Sequence, residues 1–385
     1  MIYADNAATT RISASVFDKM LPFLCEEYGN ASSQYSLGVK AKRAIELARK
    51  QVADAIGAEV SEITFTSGGS ETNSWLLRSV DECLGDVLKH IITSSIEHRS
   101  VLNACRALEK DGTVVTYLPV DSSGRISVAD IKAAIRPYTK LVTIMLANNE
   151  IGTVQPIAEI GRLLKGKGIL FHTDAVQAVG HIPVDVTALG VDFLTASAHK
   201  FNGAKGTGIL YKRSGLELQP LVFGGEQEHG IRAGTENVAG VVSAGYAIEE
   251  RIGTMASEAE RLSAMVKKTV DGIKEKIPYI RVNGYDALRL PGTVNLGFDG
   301  VSGESLMHLL DLKGICVSTS SACTSGKEEP SHVLLALGQN KQQAKSAIRI
   351  SFGRYNTEDD VKDIVSAICE AYEKIVAAKG VGRNK

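Results

Sequence analysis

From Val191 to Gly208 the chain reads VDFLTASAHKFNGAKGTG. The apolar run of this stretch ends in the motif SAHK, whose last residue is Lys200, and three glycines follow closely. A charge at the end of a buried strand is costly, because burial disfavours the protonated amine. A lysine in that position becomes a usable nucleophile toward an aldehyde. A plain surface lysine at a strand end is the alternative that this stretch alone leaves open.

Short apolar runs alternate with helical stretches over the first two thirds of the chain, which predicts a mostly parallel sheet covered by helices. From Asn237 the pattern changes to an interrupted helix that runs towards Ile277, followed by a smaller α+β unit. We therefore predict a large α/β domain over residues 15–255 and a small domain formed by residues 1–14 and 256–385. The predicted strands of the large sheet are Glu62–Thr66, His90–Thr93, Val114–Leu118, Leu141–Leu146, Ile169–Thr173, Val191–Ala196 and Gly208–Tyr211.

Composition excludes several classes of protein. The 385 residues carry a formal net charge of −1, so there is no basic excess to neutralise a nucleic acid. No apolar run approaches the length of a membrane span, and the N-terminal residues do not resemble a signal peptide. Six scattered cysteines form neither a disulfide framework nor a zinc-binding pattern. We expect a cytoplasmic protein that binds neither nucleic acid nor membrane.

Polar groups follow several of the predicted strands at their carboxyl ends, where ligands bind in an open α/β sheet. Gly69 and Ser70 lie between a strand and a helix, which is typical of a phosphate site. Asp174 follows a later strand, one strand-to-strand unit before Lys200. A helix cap at Ser70 and a turn at Asp174 are the plain alternatives. Together, however, an anion site, a carboxylate and a lysine are what pyridoxal phosphate requires, because the carboxylate keeps the pyridine nitrogen protonated.

Three further residues are candidates on weaker grounds. His98 also follows a strand and could stack on a cofactor or move protons, although most single histidines are structural. Cys323 lies in a loop of small hydroxylated residues and charges, where a thiol can ionise and react. Arg349 interrupts an apolar β stretch, and could form an internal salt bridge or hold a substrate carboxylate.

With these residues in place, the chain resembles the cysteine desulfurases, which are pyridoxal-phosphate enzymes of the class V aminotransferase group. The resemblance runs nearly end to end and implies fold type I of the pyridoxal-phosphate-dependent transferases. The segment around Cys323 is similar to the branch that serves iron–sulfur cluster assembly. The motifs that carry the resemblance are YADNAATT (3–10), TSGGSE (66–71), NNEIG (148–152), DAVQ (174–177), SAHK (197–200), RAGTEN (232–237) and SACTS (321–325).

The resemblance implies a role for each matching residue. Lys200 would bind pyridoxal 5'-phosphate covalently, Asp174 would pair with its ring nitrogen and Gln177 with its ring hydroxyl. His98 would stack on the ring and move protons. The phosphate would be held by Gly69, Ser70, Ser197 and His199, with Thr235 reaching in from the second subunit of a homodimer.

On the substrate side, the resemblance implies that Asn149 contacts cofactor and substrate and that Arg349 binds the carboxylate of L-cysteine. Cys323 would take the sulfur as a persulfide, leaving L-alanine, and pass it to an acceptor such as an iron–sulfur cluster scaffold. Cys323 could also ligate a cluster together with that partner. Glu226 and His229 depart from the family pattern, which usually has a glycine and an arginine there.

Three alternatives stay open at this point. A selenocysteine lyase would share every cofactor residue. Another class V aminotransferase would not need a reactive cysteine. A scaffold that kept the fold without catalysis would purify without a lysine-bound cofactor.

Overall fold

A computed structural model describes residues 1–83, 88–319, 329–378 and 380. The strands in these residues are β1 (Ile2–Tyr3), β2 (Ile63–Thr66), β3 (His90–Ser94), β4 (Val114–Leu118), β5 (Thr139–Thr143), β6 (Leu170–Asp174), β7 (Phe193–Ser197), β8 (Gly208–Lys212), β9 (Arg281–Asn283), β10 (Thr293–Gly297), β11 (Ile315–Cys316), β12 (Ser318–Thr319) and β13 (Ala347–Ser351). The helices are α1 (Ala14–Met20), α2 (Pro22–Cys25), α3 (Ser36–Ile56), α4 (Gly69–Cys83), α5 (Arg99–Lys110), α6 (Val128–Ala134), α7 (Ile157–Leu164), α8 (Val186–Leu189), α9 (Val238–Lys276), α10 (Gly303–Asp311), α11 (His332–Ala336), α12 (Lys341–Lys345) and α13 (Glu358–Ala378).

The large sheet has seven strands in the order β2-β8-β7-β6-β5-β3-β4. Every strand pair is parallel except those of β8, which is antiparallel to both β2 and β7. The sheet is therefore mixed and mostly parallel, and the predicted α/β fold is confirmed. All seven strands predicted for this sheet are present, with shifts of a few residues at their ends.

Helices cover both faces of this sheet because each face is apolar. One core contains buried residues of α3, α7 and the first part of α9, among them Ile45, Ile160 and Val241. The opposite core contains residues of α4 and α5, including Trp75 and Val101. Burial on both faces explains why the strands read as nearly continuous apolar runs.

A third core lies against a four-stranded antiparallel sheet of order β12-β13-β10-β9. It includes the later part of α9 from Leu262, together with α10 and α13. The N-terminal residue Ala4 belongs to this core, and β1 pairs in parallel with β11. The division into domains at residue 255 stays a prediction, because α9 is one continuous helix that contributes both to the core of α3 and α7 and to this core.

One detail differs from expectation. The helix predicted to run with interruptions from Asn237 is continuous over the 39 residues of α9. Its glycines do not end it, because the first half packs on one core and the second half on another. No helix in the described part of the chain combines the length and the apolar character that crossing a bilayer would require.

Candidate active site

A cavity of about 390 Å³ opens where the parallel strands of the large sheet end. Ten of the twelve predicted site residues line it. Thr235 does not line the cavity and is exposed on this chain, and Cys323 lies outside the described residues. The ten that line it are Gly69, Ser70, His98, Asn149, Asp174, Gln177, Ser197, His199, Lys200 and Arg349.

The anion-binding part of the cavity is built by the start of α4 and the end of β7. Gly69 and Ser70 are the first two residues of α4, where backbone N–H groups and the helix dipole favour an anion. A Cβ added at Gly69 would lie 2.8 Å from Val176 Cγ2, so a larger residue would crowd this end of the cavity. Ser197 ends β7, and His199 follows in a short 3₁₀ turn.

Burial lowers the pKa of His199 to about 4, with Lys200 and Lys205 acting in the same direction. The ring is therefore neutral near pH 7. Its Nδ1 is 3.1 Å from the Thr9 hydroxyl.

A chain of hydrogen bonds connects Asp174 with His98. Asp174 is buried at the end of β6, and its carboxylate accepts from Val176 N at 3.0 Å and from Asn73 Nδ2 at 2.7 Å. The same amide group of Asn73 donates to Ser100 Oγ at 2.9 Å. Ser100 Oγ is in turn 2.7 Å from His98 Nδ1. The carboxylate is thereby fixed in place beside the imidazole.

His98 is held by one of its two ring nitrogens. It is the N-cap of α5, and its Nδ1 accepts from Ser100 N at 3.2 Å. Since Nδ1 is the acceptor, the Ser100 hydroxyl at 2.7 Å donates to it, and the ring proton of neutral His98 is on Nε2. Burial is the main cause that lowers the pKa of His98, with Lys200 and Arg99 adding to it and Asp174 opposing it.

Lys200 and Gln177 meet at the N-terminal segment of the chain. Lys200 Nζ donates to the carbonyls of Ala7 at 2.7 Å and Ala8 at 2.8 Å. Gln177 Nε2 donates to the same Ala7 carbonyl at 2.9 Å. Lys200 is half-buried and directed at the cavity it lines, as the apolar run before it predicted.

Arg349 lies in β13 of the small sheet and reaches the cavity from the other side. Its Nη2 donates to Asp5 at 2.6 Å, and its Nη1 donates to the Asn149 carbonyl at 2.8 Å. Its buried Nε has no hydrogen-bond partner among the described residues. The guanidinium is therefore oriented on two sides and retains an unused donor, which fits a site for a carboxylate.

Three residues that were assigned no role from the sequence, Glu97, Glu150 and His332, also belong to this region. Glu97 is fully buried, accepts from Ser94 and Met145, and burial raises its pKa to about 8. Glu150 accepts from Ser331, and burial raises its pKa to about 7. His332 lines the cavity next to Ser331. Neither their spacing nor their neighbours in the sequence indicate these contacts, because three separate segments must meet to form them.

The model of the aminotransferase class-V family matches residues 2–364. The chain belongs to this family. A cysteine desulfurase IscS from Methanosarcina thermophila is 47% identical over 374 residues, which are 97% of this chain and 92% of that protein. A cysteine desulfurase from a Nostoc species is 43% identical over 377 residues, 98% of this chain and 94% of the relative.

Solved structures agree with the sequence relatives. A NifS-like protein superposes with a TM-score of 0.91 at 38% identity, covering 97% of this chain and 99% of the other. SspA in complex with cysteine superposes with a TM-score of 0.81 at 37% identity, covering 93% of this chain and 100% of the other. The resemblance to the cysteine desulfurases that the sequence motifs indicated is thereby confirmed.

Proposed function

We propose that this class V aminotransferase is a pyridoxal-phosphate-dependent cysteine desulfurase, which takes sulfur from L-cysteine and leaves L-alanine and a persulfide on Cys323. One observation carries the proposal: the anion site, Asp174, Lys200, His98 and Arg349 face one cavity. Relatives that are 47% identical over nearly the whole chain bear the name cysteine desulfurase. The sequence motifs predict the same function.

The residues that line the cavity fit pyridoxal 5'-phosphate. The phosphate would be held by the start of α4 and by Ser197 and His199, where the glycine at position 69 leaves room. The Asp174 carboxylate would face the ring nitrogen, Gln177 would bind the ring hydroxyl, and Lys200 would bind the aldehyde. When bound, the cofactor supplies an electron sink for negative charge that develops on the substrate carbon.

The chain's own residues would bind and orient the substrate. The partly unused guanidinium of Arg349 binds the carboxylate of L-cysteine, while Asp5 and the Asn149 carbonyl keep it in position. Lys200 Nζ accepts the proton from the substrate α-carbon. His98 would move protons in the same cavity through Nε2, because Nδ1 is already hydrogen-bonded to Ser100.

Sulfur transfer requires a second nucleophile, and we assign it to Cys323. A thiolate at this position attacks the substrate sulfur, and the bond between that sulfur and the substrate carbon breaks with its electron pair left on the carbon. The resulting persulfide is the form in which sulfur leaves for an acceptor protein. An iron–sulfur cluster scaffold is the acceptor that we propose. Ligation of a cluster by Cys323 together with that partner also remains a prediction.

The active enzyme that we propose is a homodimer. Thr235 is exposed on its own chain, where it is free to face the cavity of a second subunit. Apolar side chains are exposed in the segment that leads to it, with Phe223 84% accessible and Leu221 and Val222 also exposed. Contiguous exposed apolar side chains are typical of a surface that a partner covers.

Replacement of Cys323 by serine tests the function directly. We expect Cys323→Ser to abolish persulfide formation while the bound cofactor and its absorbance stay unchanged, because serine cannot form a sulfur–sulfur bond. The measurement is mass spectrometry of the peptide that contains residue 323 after incubation with L-cysteine, together with sulfide release in the presence of a thiol reductant.

The matched control is Cys25→Ser, since Cys25 is an exposed cysteine outside the cavity. This variant should retain wild-type persulfide formation. Sulfide release that persists in Cys323→Ser would contradict the proposed role of Cys323. Greater turnover of selenocysteine than of cysteine by the wild type would instead identify a selenocysteine lyase.

A further inference from the structure

We propose that the carboxyl group of Glu150 controls how tightly Arg349 binds the carboxylate of the substrate, and that Glu150 is neutral when L-cysteine is bound. This inference rests on the proposed function and adds one residue that sets the affinity for the substrate. Glu150 acts through the guanidinium of Arg349, so it is a positioning residue and takes no part in the chemical steps.

Glu150 lies next to the guanidinium that it influences. It follows Asn149, whose carbonyl accepts from Arg349 Nη1 at 2.8 Å. Asn148 Oδ1 accepts from the backbone N–H groups of Glu150 and Ile151 at 2.9 Å and 3.0 Å, which fixes this turn. Glu150 and Arg349 are both buried and line the same cavity. A charge on Glu150 therefore acts directly on the site of the substrate carboxylate.

The carboxyl group of Glu150 has few partners for a buried anion. Among the described residues, its one hydrogen bond comes from the Ser331 hydroxyl. The buried carboxylate of Asp174, by contrast, accepts from a backbone N–H and from a side-chain amide. A buried carboxylate stays ionised when it accepts several hydrogen bonds or faces a positive charge. Glu150 lacks the first of these and has to share the second.

The positive charge near Glu150 is already paired with another carboxylate. Arg349 Nη2 donates to Asp5 at 2.6 Å, and this ion pair is largely buried. A substrate carboxylate on the unused Nε of Arg349 is the second negative group on that guanidinium, and an ionised Glu150 is the third. Three carboxylates around one guanidinium leave negative charge without a partner in a buried site, which is unfavourable. A proton on Glu150 removes one of these charges.

The surroundings allow Glu150 to take up this proton near neutral pH. Burial raises its pKa to about 7, while its hydrogen bond, Arg349 and Arg99 act in the opposite direction. Arg99 is also 4.0 Å from Glu329, which partly offsets its charge. His332 lines the same cavity, and burial lowers the pKa of its ring, so it brings no positive charge near pH 7.

The remaining titratable groups of this region do not distinguish the two states of Glu150. Glu97 is buried beside His332, and burial raises its pKa to about 8. Lys200, Asp174 and His98 line the part of the cavity that would hold the cofactor. All of these groups stay unchanged in a variant of Glu150 alone. Their ionisation therefore cancels when the two proteins are compared at the same pH.

The sign of the pH effect follows from these charges. The substrate carboxylate raises the pKa of Glu150 further, because a second negative charge nearby disfavours ionisation. Binding above pH 7 therefore takes up a proton, and the affinity for L-cysteine falls as the pH rises. Below the pKa of the free protein, Glu150 is neutral with and without substrate, and its ionisation no longer affects binding.

The test compares the binding of L-cysteine to Cys323→Ser and to Cys323→Ser/Glu150→Gln, each as the holoenzyme, by the absorbance of the cofactor. Glutamine has the shape of the neutral acid, and its amide oxygen can still accept from Ser331. We expect the two dissociation constants to agree within about twofold at about pH 6, where Glu150 is neutral. At about pH 8.5 the protein with Glu150 should bind about tenfold more weakly, because binding then takes up one proton.

Two controls separate the charge of Glu150 from other effects. Glu329→Gln in the same background removes a carboxyl group from the same cavity, but that side chain is 57% exposed and should leave the pH dependence unchanged. Cysteamine has the amine and the thiol of cysteine without the carboxylate. Its ratio of dissociation constants between the two proteins should be the same at both pH values.

A second measurement does not depend on the folding of the glutamine variant. On Cys323→Ser alone, the preference for L-cysteine over cysteamine should fall about tenfold between about pH 6 and pH 8.5. A preference that does not change, or a ratio between the two proteins that is independent of pH for L-cysteine, would overturn the inference. Absence of any cofactor response to L-cysteine at every pH would instead overturn the proposed function.

Discussion

His172 shows how a single side chain fixes the strand end that presents Asp174. It is fully buried in β6, two residues before Asp174. Its Nδ1 is 2.8 Å from Thr143 Oγ1 on β5, and its Nε2 is 3.0 Å from Thr195 Oγ1 on β7. One imidazole thereby connects three neighbouring strands. The ring is neutral near pH 7, because burial lowers the pKa of His172 to about 3.

The free energy of unfolding should therefore decrease at acid pH because of His172. Its pKa is lower in the folded than in the unfolded chain, so the unfolded state gains the proton first and stability falls as pH drops below about 6.5. One such histidine accounts for about 1.5 kcal/mol between pH 6.5 and pH 5. We expect the stability difference between wild type and His172→Gln to shrink by that amount over this interval.

Urea unfolding followed by the fluorescence of Trp75, the single tryptophan, measures this difference. Trp75 is buried and so reports on the core. His308→Gln is the control, since the side chain of His308 is 64% exposed and should leave the wild-type pH dependence intact. Parallel pH profiles for wild type and His172→Gln would show that His172 does not titrate on unfolding.

At the residue scale, the sequence was informative where a chemical requirement coincides with a local pattern. Lys200 and Asp174 could be predicted because each follows a strand, and strand ends of a parallel sheet converge. His332 could not be predicted in this way. Its ring lies at the cavity with Nε2 hydrogen-bonded to the Glu97 carbonyl, which lies far away in the sequence. Periodicity and spacing carry no information on such a contact.

Secondary-structure elements were likewise predictable where the local sequence determines them, and not where long-range packing does. The strands of the large sheet were predictable from their apolar runs. The antiparallel direction of β8 could not be predicted, because the short glycine-containing connection after β7 is compatible with several turns. The continuity of α9 was also missed, since packing on two cores outweighs the helix-weakening effect of its glycines.

A buried ion pair ties α3 to the segment before α9. Arg49 of α3 contacts Glu228 at 2.7 Å and 2.9 Å, and both side chains are almost fully buried. Glu228 also accepts from Phe65 N on β2. Glu228 and His229 both have left-handed backbone conformations, with φ of 47° and 59°. His229 stands where the family pattern usually has an arginine. The ion pair holds this strained turn against the strand that precedes α4.

Loss of one partner of this pair should be strongly destabilising. We expect Arg49→Met to lower the free energy of unfolding by about 3 kcal/mol, because it leaves the Glu228 carboxylate buried without its counter-charge. The double variant Arg49→Met/Glu228→Gln should lose less than the sum of the two single variants. Denaturant unfolding of all three variants measures the coupling between the residues.

The matched control is the exposed pair of Lys50 and Asp54 on the same helix, whose side chains are about 60% accessible. Lys50→Met should cost no more than about 0.5 kcal/mol. Additive losses for Arg49 and Glu228 would show that the two residues stabilise the turn independently.

At the scale of the whole molecule, the position of Thr235 has to be reconciled with the role that the resemblance implies for it. On its own chain it is exposed and does not line the cavity, whereas the family resemblance assigns it to the phosphate of pyridoxal phosphate. Both statements hold if each cavity is completed by the other subunit. We therefore expect Thr235→Ala to weaken cofactor binding about tenfold, which corresponds to one charge-assisted hydrogen bond. Thr235→Ser keeps the hydroxyl and should bind as wild type.

Mixed dimers distinguish a contribution in trans from one in cis. A dimer of one Lys200→Ala chain and one Thr235→Ala chain has a single cavity with Lys200. If Thr235 acts across the interface, that cavity receives the hydroxyl from the Lys200→Ala chain and should take up cofactor with wild-type affinity. Borohydride labelling of Lys200 at increasing cofactor concentration measures the affinity of that cavity alone. A weakened midpoint equal to that of the Thr235→Ala homodimer would place Thr235 in its own subunit's site, because only then does the lysine-bearing chain lack the hydroxyl.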